Sequence, residues 1–340
     1  MKIMLIGSAD LSGKRIGGQY EKTRLIHNFL EKEENIDLYF CNMLKVGKGL
    51  GLFWNIAKNY MKNDCIIAVT STRGTKVITE LLYWLSKLKK KIIVYLIVGN
   101  QQNLLKSFSE KKLKIIHKVY FEVPIMQEEL KNKLDVGFFS NCKDITHTRL
   151  PREYEKPIKI CYYSEISYRK GFDRIVRALD IINEKGTEYI LDVYGYFADD
   201  EREMRKYFDG RKFLNFKGVI QREKSHEILS KYFFMVFPSR HKLEGVPGAV
   251  VDAFEAGLPV MCSDVGFLPN VVRNQETGYI VDSEKGIIDF LKYAKENQDM
   301  IDRLRAACRK EADKYDIKKS IKELHEDIIN MCDISSKEKV

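Results

Sequence analysis

Short apolar runs alternate with amphipathic stretches of helix length along almost the whole chain. That alternation restricts the fold more than any other feature. It calls for parallel strands joined by right-handed helical crossovers. In the first half the strand-like runs are Lys2–Ile6, Ile36–Phe40, Cys65–Val69, Ile92–Val98, Lys118–Phe121 and Val136–Phe139. Helical patterns fall at Tyr20–Lys32, Gly74–Leu88 and Ile125–Leu134. The second half continues with strands at Ile158–Tyr163, Tyr189–Tyr194, Leu214–Lys217, Phe233–Phe237 and Val260–Cys262. Helices are expected there at Gly171–Glu184, Asp200–Phe208, Lys224–Lys231 and Ala249–Ala256. A chain of 340 residues outgrows one ordinary core and suits two α/β domains. The polar stretch Leu150–Pro157, with its two prolines, marks the boundary. It separates an N-terminal domain, 1–154, from a C-terminal domain, 155–317. In a last helix, 318–332, Ile321, Leu324, Ile328 and Met331 form one stripe.

Charge is distributed unevenly. Residues 1–150 carry 25 Lys and Arg against 14 Asp and Glu, an excess of 11 positive charges. Residues 151–340 carry 33 against 34. Lysine clusters at 87–91 and 106–118 flank apolar segments. Such a surface suits anionic lipid headgroups, nucleic acid or plain solvation. No nucleic-acid-binding motif accompanies the charge, so a nucleic-acid partner is not expected. No apolar run approaches bilayer-spanning length. The start, Met1-Lys-Ile-Met-Leu-Ile-Gly7, leads straight into a strand without a signal-peptide cleavage pattern. Seven scattered cysteines with no Cys-x-x-Cys suggest free thiols. Together these features lead us to expect a cytoplasmic protein.

The most informative local stretch runs from Pro238 to Val260. A strand ends at Pro238, and a loop holding Glu244, Gly245, Val246, Pro247 and Gly248 follows. A short helix then carries Asp252 and stops at Gly257-Leu-Pro259. Backbone N–H groups of a first helical turn lack intrahelical acceptors and attract anions. Carboxylates beside them accept hydrogen bonds from sugar hydroxyls. A nucleotide-sugar meets both demands.

This stretch resembles the donor-binding signature of glycosyltransferase family 4: Glu, seven residues, Glu, then Ala and a Gly-x-Pro-Val turn. Here Glu244 is the first acid, and Asp252 stands at the second position. Ala253, Gly257 and Pro259 favour that register over the rival Glu255. The resemblance implies an α/β GT-B fold, two Rossmann-like domains with parallel sheets facing a central cleft. It also implies retaining transfer, and a terminal helix that packs back on the N-terminal domain. The loop Gly7–Glu21 resembles the family's Gly-Gly loop, with Gly17 on the acceptor side and Gly18 near the donor. Gly99 and Asn100 follow the Ile92–Val98 strand on the acceptor side. Many members have a His near there; none of this chain's six histidines follows that strand.

The segment Tyr163–Gly171 resembles the family's Gly-Arg-Leu-x-x-x-Lys-Gly. Lys170 and Gly171 match, but Glu165 stands where the family has Arg. A Glu there is expected to repel a diphosphate, so Arg169, Arg240 or Lys242 must supply the cation. Gly195 and Val219, after two further strands, fall where the family approaches the donor and its base.

The expected activity is sugar transfer from a nucleotide-diphosphate sugar to a glycan or lipid-linked acceptor, at an anionic membrane surface. Glu244 and Lys170 are the catalytic candidates. No Asp-x-Asp is present, so neither a metal nor a cofactor besides the co-substrate is expected. An epimerase or glycogen-type transferase is an alternative. So is a catalytically inactive sugar-nucleotide-binding or membrane-scaffolding protein.

Overall fold

A computed structural model of the chain describes residues 1–12, 18–46, 49–98, 102–122, 130–140, 143, 145, 156–198, 200–221, 224–242 and 244–337. It divides into two compact units. Unit 1 comprises Met1–Lys143 and Ile317–Val340, and unit 2 comprises Asp144–Asp316.

Unit 1 is built on a parallel sheet of six strands: β1 (Lys2–Gly7), β2 (Asp37–Asn42), β3 (Cys65–Thr70), β4 (Ile92–Ile97), β5 (Lys118–Phe121) and β6 (Val136–Phe138), in the order β2-β1-β3-β4-β5-β6. β3 and β4 are buried along their whole length, as continuous apolar runs in a two-sided sheet must be. One face of the sheet is covered by Ile26 and Leu30 of helix Gly18–Leu30 and by Ile317, Ile321, Leu324 and Ile328 of helix Ile317–Lys337. That last helix is amphipathic, and its apolar stripe completes the core of unit 1 from the far end of the sequence. The Tyr120 hydroxyl donates to Asp327 and Lys118 pairs with it, fastening the helix to β5. Helices Leu50–Tyr60 and Thr72–Ser86 follow rightward crossovers, so they lie on the opposite face. The hydrogen bond of 2.8 Å between the Thr79 and Tyr95 hydroxyls joins the second of them to that face.

Unit 2 repeats the plan with β7 (Ile158–Tyr163), β8 (Tyr189–Tyr194), β9 (Leu214–Gly218), β10 (Met235–Phe237), β11 (Val260–Ser263) and β12 (Gly278–Val281), in the order β12-β11-β10-β7-β8-β9. Its pairings are parallel too. Helix Phe172–Ile182 buries Phe172, Ile175, Val176 and Leu179 against this sheet.

The expected strands are present, with ends shifted by a residue or two; β10 begins at Met235 rather than Phe233. Strand β12 and helices Leu50–Tyr60, Glu284–Glu296 and Gln298–Ala312 are additional to the sequence expectation. Of the helix expected at Ile125–Leu134, residues 125–129 lie outside the described residues and 130–134 form turns. No helix among the described residues is long and apolar enough to cross a membrane.

Candidate active site

In unit 2 the chain runs from β7 outward to β8 and β9, then returns to place β10 on the other side of β7. Connections leave the neighbouring strands β7 and β10 in opposite directions. Open α/β sheets bind ligands at the carboxyl ends of such a pair. The loops after β7 and β10 are joined closely there. The Arg240 amide donates to the Arg169 carbonyl at 2.9 Å. Gly171 has φ +75°, and a Cβ on it would lie 1.8 Å from the Pro238 carbonyl oxygen. Only glycine permits that approach.

Lys170 and Glu244 meet across these loops. Lys170 Nζ donates to both Glu244 carboxylate oxygens at 2.8 Å. The Ser239 hydroxyl donates to Oε2 at 2.8 Å. Glu244 is buried although it belongs to a loop. Three contacts hold its carboxylate, and the turn after β11 packs on its backbone. Gly266 has φ +57°, and a Cβ there would lie 2.6 Å from the Glu244 carbonyl oxygen. Burying a carboxylate is costly unless it is paired and hydrogen-bonded, and Glu244 is both.

Helix Gly248–Glu255 starts at the same edge, after Pro247. Gly248 and Asp252 share one helical face. Nothing would touch a Cβ on Gly248, so the first turn is open at that point. Asp252 is buried, and the Tyr163 hydroxyl at the end of β7 donates to its Oδ2 at 3.2 Å. Glu255 is buried as well, but three residues further along it lies about 4.5 Å deeper from the ligand edge.

Two of the three candidate cations are matched to carboxylates. Arg169 donates to both oxygens of Glu165, at 3.0 and 2.9 Å. Arg240 donates to Asp173 at 2.5 and 2.9 Å and to the Tyr168 carbonyl at 2.8 Å. Burial opposes the charge of Glu165, yet hydrogen bonds from Arg169 and Ser167 hold its carboxyl below the usual value. Asp173 behaves alike: burial raises it, and Arg240 with Arg177 pulls it lower still. Glu165 thus fixes an arginine at the mouth of the loop, where the sequence suggested plain repulsion. Lys242 is exposed. Burial lowers the His241 pKa; Glu244 opposes the shift, Lys170 and Arg169 add to it, and the net direction favours a neutral ring beside the pair.

Gly195 and Val219 end neighbouring strands. The Gly195 amide donates to the Gly218 carbonyl at 2.8 Å, and a Cβ on Gly195 would lie 1.8 Å from the Ser164 carbonyl oxygen. This crowding of strand ends by itself requires glycine. Val219 is exposed beyond β9. In unit 1, Gly18 opens helix Gly18–Leu30. Gly17, Gly99 and Asn100 lie outside the described residues.

Sequence reasoning missed Ser239, which bonds Glu244 within one loop, Tyr163, whose partner Asp252 is remote in sequence, and Gly266, which packs on backbone atoms. It also missed Lys22, which is buried under the carboxyl ends of β4 to β6. Lys22 Nζ reaches the Phe139 carbonyl at 2.8 Å, Glu122 at 3.2 Å and the Ile97 carbonyl at 3.4 Å. A lysine inside a helix pattern carries no local signal of such burial.

The arrangement suits an anionic ligand. A diphosphate competes with carboxylates for guanidinium and ammonium groups, and open helical amides add donors. Comparison with known proteins bears on this edge. The family model for glycosyl transferases group 1 matches residues 146–315, nearly all of unit 2. A GDP-mannose-dependent alpha-(1-6)-phosphatidylinositol monomannoside mannosyltransferase of Mycobacterium tuberculosis is 27% identical over 135 residues, 38% of this chain and 35% of its own. The amylovoran biosynthesis glycosyltransferase AmsK of Erwinia amylovora is 22% identical over 132 residues, covering 37% of this chain and 32% of its own. The matches thus span about a third of these relatives' lengths. Among solved structures, sucrose-phosphate synthase from Thermosynechococcus elongatus superposes with a TM-score of 0.72 at 15% identity, covering 97% of this chain and 99% of that one. Anabaena HepE, solved with UDP, gives 0.70 at 14% identity, covering 97% and 100%. These likenesses establish the fold as that of GT-B glycosyltransferases. With the family match extending over half of its residues, the chain belongs to the glycosyl transferases of group 1.

Proposed function

We propose that this chain is a retaining, metal-independent glycosyltransferase of family 4 type. It takes a nucleotide-diphosphate sugar and passes the sugar to a glycan or lipid-linked acceptor. The Lys170–Glu244 pair at the switch point carries this reading. Lys170 stabilises charge that gathers on the leaving diphosphate, and the first turn at Gly248 adds backbone donors. Glu244 faces the sugar and stabilises positive charge as the glycosidic bond loosens. Asp252 receives the ribose hydroxyls once Tyr163 yields its hydrogen bond. Arg169, held ready by Glu165, and Arg240 supply the cation that the family motif's Arg, replaced here by Glu165, would otherwise give. The names of the relatives favour a lipid or polysaccharide product: one acts on a phosphatidylinositol mannoside, another in amylovoran biosynthesis.

Incubating the protein with UDP- and GDP-sugars and a membrane lipid extract, with and without EDTA, tests the proposal. Sugar should reach the lipid or glycan fraction with its anomeric configuration retained, and EDTA should leave the rate unchanged. Binding without transfer or hydrolysis of any donor would favour the inactive sugar-nucleotide-binding alternative, which Glu165 at the Arg position motivates.

A further inference from the structure

Helix Leu50–Tyr60 of unit 1 is apolar on two faces. Leu52, Ile56 and Tyr60 are buried beneath it. Leu50, Phe53, Trp54, Ala57 and Met61 form a second stripe at helical spacing. Leu50 is 88% exposed, Trp54 73% and Phe53 51%. The neighbouring helix Thr72–Ser86 exposes Val77 and Trp84, and Leu88 just beyond it is 75% exposed. The crossovers put both helices on one side of the sheet, and their C-terminal ends meet. The Tyr60 hydroxyl donates to the Lys89 carbonyl at 2.9 Å, and Lys91 Nζ approaches the Met61 carbonyl at 3.4 Å. Both tryptophans of the chain lie on this side. A surface helix with a second, exposed apolar stripe, beside other exposed apolar groups, marks an interaction site.

The charge around the stripe selects the partner. Residues 43–63 hold four lysines and no acid, and four more lysines fall at 87, 89, 90 and 91. Lys58, Lys62, Lys89 and Lys90 have no acidic partner among the described residues. Lys87 Nζ lies 3.7 Å from the centre of the Trp84 ring. Protein interfaces are depleted in lysine. The surface of an anionic bilayer takes Trp at headgroup depth, Leu and Phe just below it, and Lys against the phosphates.

We propose that the outer face of helices Leu50–Tyr60 and Thr72–Ser86 docks on anionic lipid bilayers, inserting Trp54 and Trp84 to headgroup depth and Leu50, Phe53 and Leu88 just below it. This rests on the reading above that the acceptor is at a membrane, and it names the surface that makes contact.

The full chain, without donor, is mixed with vesicles of phosphatidylcholine alone or with added phosphatidylglycerol. Tryptophan emission should shift to the blue, and the protein should sediment, only with the anionic vesicles. Phe53→Ser with Trp54→Ser should weaken affinity on the order of a hundredfold, as for two lost apolar side chains. The melting temperature should hold, because both side chains are exposed. Replacing Lys58, Lys62, Lys89 and Lys90 with Ser should abolish the preference for anionic vesicles. Absence of binding would overturn the proposal. So would sedimentation without a spectral shift, since charge alone would then explain it. A concentration-dependent dimer that shields the tryptophans without lipid would overturn it in favour of a second copy. Docking without transfer activity would leave this surface standing and sink the functional reading; transfer without docking would do the reverse.

Discussion

The carboxyl edge of unit 2 and the outer helices of unit 1 both concentrate cations, and they treat them in opposite ways. At the edge, Lys170, Arg169 and Arg240 are each gripped by a carboxylate within hydrogen-bond distance. Around the outer helices Lys58, Lys62, Lys89 and Lys90 lack acidic partners among the described residues, and Phe53, Trp54 and Trp84 are exposed on the same helices. Paired, half-buried charge fixes geometry and suits one small anion. Unpaired charge on flexible stems suits a broad anionic surface. On the readings proposed above, the basic excess of the first half and the near-neutrality of the second would serve two binding modes rather than one.

The strongest way to break this contrast is to unpair the edge. Lys170→Ala should lower transfer by about a hundredfold to a thousandfold, as for loss of a transition-state charge contact. It should also cost about 3–5 kcal/mol of stability, because Glu244 is left buried without its partner. Chemical denaturation and initial rates measure the two. Glu244→Gln should reduce turnover by about a hundredfold. It should destabilise as well, since Lys170 loses its counter-charge and one of the two acceptor oxygens becomes a donor facing Lys170 or Ser239; unchanged stability would contradict the burial of the pair.

A smaller effect sharpens the ligand assignment. Asp252→Ala should weaken nucleoside-diphosphate binding by about 1.5–3 kcal/mol, the worth of a hydrogen bond to a charged group. Calorimetry measures it, and an unchanged affinity would turn attention to Glu255.

The smallest effect is in pH. Asp173 and Glu165 are held below their ordinary values of 3.8 and 4.5 by arginine contacts that outweigh burial. Depressed carboxyls stabilise the fold fully above those values, and the contribution is lost as pH falls through the lowered ones. Stability should therefore decline below about pH 4. Asp173→Asn should flatten that acid slope while leaving vesicle binding at neutral pH unchanged, because the proposed docking face lies in unit 1.

Much of the fold was legible because parallel strands are buried on both faces and read as apolar runs, as β3 and β4 do. Helix Leu50–Tyr60 was not, because its exposed stripe fills the polar half of the helical period. The property that hides it as a helix is the one that suggests docking. Strand β12, of four residues, carries too short a run to stand out. At the site, the spacing of Glu244, Gly248 and Asp252 was local and readable. The Lys170–Glu244 contact joins residues 74 apart in sequence, and only the strand order brings them together. The role of Glu165 was read as repulsion because sequence shows its charge but not the arginine it holds.

The central claim is that the Lys170–Glu244 edge receives a nucleoside diphosphate. Calorimetric titration of UDP and GDP into the wild-type protein and into Lys170→Ala tests it most directly. The account predicts that at least one nucleotide binds the wild type and that the variant binds it at least tenfold more weakly. Equal affinity in the two proteins, or no binding of either nucleotide to the wild type, would contradict it.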